Sequence, residues 1–101
     1  MSKVTMMGTI ACQDGKGDDM EAVLVSMVDA ARHEPGLEVY SYHRSDDDTF
    51  AFFAVMADAE SAQAHGQTEA MREAIASMGP LMAGPPKITM YRPLAAIGFE
   101  A

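Results

Sequence analysis

Between Glu34 and Met56 the chain reads as a β-hairpin, and that hairpin limits what the rest can become. Glu34-Pro35-Gly36 stops whatever precedes it. Leu37 to Arg44 and Thr49 to Met56 are rich in β-branched and aromatic residues, and the acidic turn Ser45-Asp46-Asp47-Asp48 joins them. Two such runs around a short polar turn predict paired antiparallel strands. Helical patterns lie on both sides of the hairpin and need a sheet to cover, so the hairpin is the expected centre of the fold.

Upstream, Lys3 to Cys12 alternates loosely and predicts a first strand, followed by a turn over Gln13-Asp14-Gly15-Lys16-Gly17. Asp18, with Glu21 three residues on, has the pattern of a capping box. Met20, Val23, Leu24, Met27, Val28 and Ala31 recur at offsets of three and four, which draws one apolar stripe along a helix. Arg32 and His33 are expected in its last turn, where cations suit the helix dipole.

Downstream of the hairpin, Asp58 can cap a short helix through Ser61, Gln63 and His65, which Gly66 interrupts. Thr68 can cap a second helical segment with Met71, Ala74, Ile75, Met78 and Met82 on one face. Gly79-Pro80 ends it near Met78, because Pro80 cannot donate a helical hydrogen bond. After the connector Ala83-Gly84-Pro85-Pro86, Lys87 to Arg92 reads as the last strand, closed by Pro93. No repeat or linker divides the chain, so residues 1–101 form one domain.

The order β-α-β-β-α-β predicts an α+β, ferredoxin-like fold: a four-stranded antiparallel sheet with its helices on one face. Phe50, Phe52 and Ala54 alternate with Ala51, Phe53 and Val55, so both faces of the third strand are apolar. A sheet apolar on both sides needs a second cover. The tail at 93–101 carries Ile97 and Phe99 with no evident place in its own core. A homodimer whose open sheet faces meet would bury both, with the tail packing on the partner.

Charge and composition narrow the function. The formal net charge of −8 repels phosphate backbones and anionic membranes, so neither nucleic acid nor a membrane surface is an expected partner. No apolar run approaches the roughly 20 residues that span a bilayer, and Met1 to Met7 lacks the apolar core of a signal peptide. The single Cys12 cannot form an internal disulfide, which fits a reducing compartment; the expected location is cytoplasmic. The 10 methionines suit an adaptable apolar pocket, or reflect compositional habit. Three scattered histidines and one cysteine have no zinc spacing. Asp46-Asp47-Asp48 lacks the alternation of a calcium loop, Gly15-Lys16-Gly17 is no phosphate loop, and Ser41 and Ser45 have no nucleophile elbow around them.

Taken together, Glu34-Pro35-Gly36, Tyr40-Ser41-Tyr42-His43-Arg44, Ala64-His65 and Gly79-Pro80-Leu81-Met82-Ala83-Gly84-Pro85-Pro86, in this order, resemble the antibiotic biosynthesis monooxygenase family of the dimeric α/β-barrel superfamily. The resemblance runs from about Met6 to Tyr91. It implies a homodimer of ferredoxin-like protomers forming a dimeric α/β barrel, each with a ligand cavity between helices and sheet. It also implies oxidation of phenols, quinols or polyketide-type aromatics without metal or organic cofactor. The chain departs from the family pattern in several places. Ala54 and Met56 stand where many members carry a Glu and then an aromatic. Ala70 and Met71 stand where many carry a second His and a Phe. Trp and Asn are absent altogether. Haem-degrading relatives need Trp, Asn and a proximal His, and the comparable helix position here is near Ile75, so haem degradation is not expected.

Direct reaction of triplet oxygen with a closed-shell organic molecule is spin-forbidden, but a phenolate or enolate gives up one electron easily. A protein that promotes this needs a base, donors for the anion and a dry pocket. The resemblance places His65 on the cavity wall as the base; the alternative is a partly exposed helix-end histidine without a role. His43 is a second candidate, or a surface residue beside the turn. Tyr40, Tyr42 and Tyr91 lie on predicted strands and can donate to a substrate oxygen, though tyrosine is common in half-buried sheets. Met71, at the family's Phe position, is a further expected substrate contact. Arg72 reads as a surface ion-pair partner of Glu69 or Glu73, Arg44 and Arg92 as solvated, and Cys12 as a small buried hydrophobe. The expected function is therefore a cofactor-independent monooxygenase acting on a small phenolic, quinol or polyketide-type aromatic substrate. A non-catalytic small-molecule binder on the same barrel is the alternative, as is a cofactor-free isomerase or cyclase.

Overall fold

The computed structural model describes residues 2–101. The hairpin forms where its alternation places it: β2 spans Leu37–Arg44 and β3 spans Thr49–Met56. In the turn between them the Ser45 N–H donates to the Thr49 carbonyl at 2.9 Å. Asp48 adopts φ of 60°, a left-handed conformation that Asp tolerates better than most residues. Asp47 accepts from the Ser45 hydroxyl and from the Thr49 N–H, which holds its carboxyl below the usual range.

The first strand, β1, covers Val4–Ala11 and pairs antiparallel with β3. On its other side it pairs antiparallel with the last strand, β4, at Lys87–Tyr91. The four-stranded sheet has the order β2-β3-β1-β4. Helix α1 spans Gly17–Ala31, α2 spans Ala59–His65 and α3 spans Glu69–Met78. This is the ferredoxin-like α+β arrangement.

Two helix starts follow the sequence. The Asp58 side chain accepts the Ser61 N–H at 2.7 Å and the Thr68 hydroxyl accepts the Met71 N–H at 3.0 Å. A short 3-10 turn at Gly79–Leu81 ends α3 at the predicted proline. The start of α1 differs. Lys16 occupies the cap position without a side-chain bond, and Asp18 sits inside the first turn. Asp18 and Glu21 form no capping box because both accept from Arg44 of β2. Arg32 falls at the C-cap of α1, with His33 beyond it, so neither lies in the last turn. Arg32 pairs with Asp29 at 2.8 Å.

Ile10, Phe50 and Phe52 of the sheet pack with Met20, Leu24 and Met27 of α1 and Ala74 and Met78 of α3. Ile75, expected on the inner face of α3, is more than half exposed. Gly8 lies under the Phe52 ring, and a Cβ there would also meet the Lys87 carbonyl. On the opposite face, Phe53 takes the ring of Phe99 from the tail at a centroid distance of 5.9 Å. Leu94 and Ile97 remain exposed. No helix of the described residues is long and apolar enough to cross a membrane.

Candidate functional site

A cleft of about 430 Å³ opens between α1 and β2. Leu24, Val25 and Val28 of α1 form one wall, and Tyr40, Tyr42 and Phe50 form the other, with charged residues Glu21, Asp29, Arg32 and Arg44 at the lining's margin. Such a mainly apolar concavity with a few polar groups suits a small organic ligand.

Two of the polar groups on the strand wall are phenols. Tyr40 and Tyr42 pair with Ala54 and Phe52 and so point to the helix side of the sheet. Their hydroxyls lie 3.1 Å apart. Burial pushes both phenols above their ordinary ionisation range; for Tyr40 the neighbouring Tyr42 and the Glu34 charge push the same way. Both are therefore neutral at physiological pH. One donates to the other, which leaves a single free O–H and open lone pairs for a ligand.

Behind Tyr40 sits His65, the last residue of α2, at 3% exposure. Its Nδ1 lies 2.7 Å from Glu34 Oε1, and its Nε2 is buried with no partner. The Tyr40 ring stands perpendicular to the imidazole at a centroid distance of 4.9 Å. Tyr40 is thus shared between the cleft and the histidine, while His65 itself does not line the cleft. The helix-end histidine is not a surface residue.

The other expected site residues are dispersed. Met71 is half-buried against the core and, with Glu34 and Thr68, lines a hollow of only about 10 Å³. His43 pairs with Ala51 and points to the open face, where its Nε2 meets Ser41 Oγ at 3.0 Å. Tyr91 lines a shallow hollow of about 480 Å³ on that same face with Met7 and Phe53. The structure therefore gathers Tyr40, Tyr42 and His65, sets His43 at the edge of the cleft as well as on the open face, and leaves Tyr91 and Met71 elsewhere. Among the described residues no group of three or more His, Cys, Asp or Glu is placed to hold a metal ion.

Two charged residues gain roles that composition and spacing do not assign. Glu34 read only as part of a helix stop, yet it holds His65. Arg44 is not simply solvated. Its guanidinium reaches Asp48 at 2.8 Å, Asp18 at 3.0 Å and Glu21 at 3.1 Å, and lies 5.5 Å from the Phe50 ring centroid. Those carboxylates, Asp48 foremost, hold it firmly charged. Arg72 makes no ion pair among the described residues and donates weakly to the Gln67 carbonyl at 3.4 Å.

Sheet order, helix placement and a cleft on the helix side define a ferredoxin-like α+β protein with a small-molecule-sized site in the protomer. The chain belongs to the antibiotic biosynthesis monooxygenase family, whose profile matches residues 3–77. A Caulobacter crescentus protein provisionally named an antibiotic biosynthesis monooxygenase is 27% identical, with a TM-score of 0.88 over 93% of this chain and 92% of that one. A Chloroflexus aurantiacus protein named in the same provisional way is 25% identical, with a TM-score of 0.82 over 96% of this chain and 98% of its own. A curated relative, an uncharacterized protein of Synechocystis, is 26% identical over 91 residues, 88% of this chain. The aligned region spans 62% of that relative's length.

Proposed function

We propose that this protein oxygenates a small phenol or quinol of polyketide type, with dioxygen as oxidant and neither metal nor organic cofactor. The observation that carries the reading is the pair of un-ionised phenols, Tyr40 and Tyr42, on the wall of an apolar cleft, with the Glu34–His65 pair against Tyr40. His65 Nε2 takes the substrate's hydroxyl proton once Tyr40 turns aside, and the free tyrosine O–H steadies the resulting phenolate. In a substrate whose ring carbon para to the hydroxyl carries a hydrogen, the phenolate gives one electron to dioxygen, and the two radicals join at that carbon. The peroxide then loses water to leave a quinone. One oxygen atom ends on carbon and the other leaves as water with two hydrogens from the substrate.

Oxygen uptake by wild type and His65→Ala against a panel of phenols and quinols tests this. Wild type should consume one dioxygen per quinone formed, and the variant should lose roughly a hundredfold or more in rate. No uptake with any substrate, or no loss in the variant, overturns the reading. Turnover without oxygen would instead identify an isomerase or cyclase.

A second reading has its own support. His65 does not reach the cleft wall, and the chain has neither Trp nor Asn. A protein that binds and carries an aromatic molecule would keep the cleft and need no exposed base. Ligand retained without oxygen uptake would establish it.

The proposed protein is a homodimer, cytoplasmic, with the two open sheet faces meeting as a dimeric α/β barrel and residues 93–101 laid against the partner. Exposed Met7, Tyr91, Leu94 and Ile97 support this arrangement.

A further inference from the structure

We infer that Glu34 is the positioning residue for His65: it fixes the imidazole in the tautomer that carries its proton on Nδ1 and leaves the Nε2 lone pair free. Calling His65 a base rests on the proposed reaction, whereas the tautomer rests on geometry alone.

An ionised carboxylate only accepts hydrogen bonds, so at 2.7 Å from Glu34 Oε1 the Nδ1 must carry the hydrogen. The other nitrogen is buried and has no partner. A buried N–H left without an acceptor is rarer and more costly than a buried lone pair left without a donor. Nε2 is therefore the unprotonated nitrogen. An imidazole free in water prefers the opposite tautomer, so the protein is imposing this one.

The backbone around Glu34 suits that task. Its N–H donates to the Ala31 carbonyl at 3.1 Å and its own carbonyl accepts the Leu37 N–H at 3.3 Å. Pro35 fixes one backbone angle immediately after it. The carboxylate thus projects from a tight connection between α1 and β2 and meets a histidine 31 residues later. A carboxylate that holds one nitrogen of a histidine so that the other can accept a proton is the arrangement used by hydrolytic triads, here with the Tyr40 ring packed perpendicular to the imidazole.

The test is a two-bond nitrogen–proton correlation spectrum of the full-length, nitrogen-15-labelled protein at mildly alkaline pH, with the His65 signals assigned by their loss in His65→Gln. Wild type should show Nδ1 protonated and Nε2 bare. Glu34→Ala should move the ring to the Nε2-protonated form, while Glu34→Gln, whose amide oxygen still accepts, should keep the wild-type tautomer. Oxygen uptake should fall roughly a hundredfold in Glu34→Ala and less in Glu34→Gln. A protonated Nε2 in wild type, or an unchanged tautomer in Glu34→Ala, overturns the inference. Should Glu34→Ala fail to fold, the wild-type and Glu34→Gln spectra decide it. The expected spectra without oxygen uptake would overturn the reaction and leave Glu34 in its role. Oxygen uptake with the wrong tautomer would do the reverse.

Discussion

The hydroxyls of Tyr40 and Tyr42, two positions apart on β2, lie 3.1 Å from each other on the helix side of the sheet. Burial there raises the ionisation of both phenols above the ordinary value of 10.0. In the unfolded chain they ionise near that value, so the folded state keeps protons that the unfolded state gives up. Their contribution to stability is full below about pH 10 and is lost as pH rises beyond it. An ultraviolet titration should show phenolate from these two residues appearing only with alkaline unfolding. The Tyr40→Phe/Tyr42→Phe double variant should lose that late step. A wild-type titration in which every tyrosine ionises before unfolding would refute the prediction.

Arg44 ties the start of α1 to the hairpin turn through Asp18, Glu21 and Asp48. Arg44→Ala would leave those carboxylates facing one another and uncover the Phe50 ring. The variant should melt below wild type, and added salt should narrow the gap because screening weakens the lost attraction and the new repulsion alike. Arg44→Lys should recover only part of the loss, since a single ammonium cannot reproduce the fork or lie flat on the ring. Thermal melts at low and high salt check all of this; equal melting of wild type and Arg44→Ala at low salt would contradict it.

Gly36 adopts φ of 78°, and a Cβ there would meet the Ser61 side chain. Its carbonyl also accepts the Ala57 N–H at 2.8 Å, so the backbone cannot simply move away. Gly36→Ala should cost about 1–2 kcal/mol for the left-handed conformation, and more for the contact. Adding Ser61→Gly should return the second part and not the first. Urea denaturation of the single and double variants measures both.

Much of the framework was readable beforehand, and the gaps have physical causes. The hairpin bounds follow from alternation and from β-branched and aromatic content, which act locally. Asp58 and Thr68 cap their helices because nothing else competes for their oxygens. Asp18 has the same local pattern, but Arg44, 26 residues away in sequence, engages its carboxylate instead. The side occupied by each tyrosine of β2 could not be counted from the start of the strand. An irregularity between Leu37 and Val39 shifts the register, pairing Leu37 with Met56 and Val39 with Val55. The Glu34–His65 pair is formed by tertiary packing across 31 residues, and no spacing rule reports it.

The open face of the sheet bears on assembly. Val55 and Thr5 are buried there, while Met7 and Tyr91 remain about half exposed and the Phe99 ring covers Phe53. An apolar face with only a short tail across it would be completed by a second copy, which matches interface to interface about a two-fold axis. Met7→Glu places a charge at the middle of β1 on that face, opposite Phe53 and Thr89 in the register. Burying an unpaired carboxylate between two sheets is strongly unfavourable, so the variant should sediment as a monomer where wild type sediments as a dimer. Its far-ultraviolet circular dichroism should stay that of the folded protomer, because Met7 contributes nothing to the buried core on the helix side. Wild type that sediments as a monomer at micromolar concentration would remove the dimer, and a dimer that survives Met7→Glu would move the interface to another face.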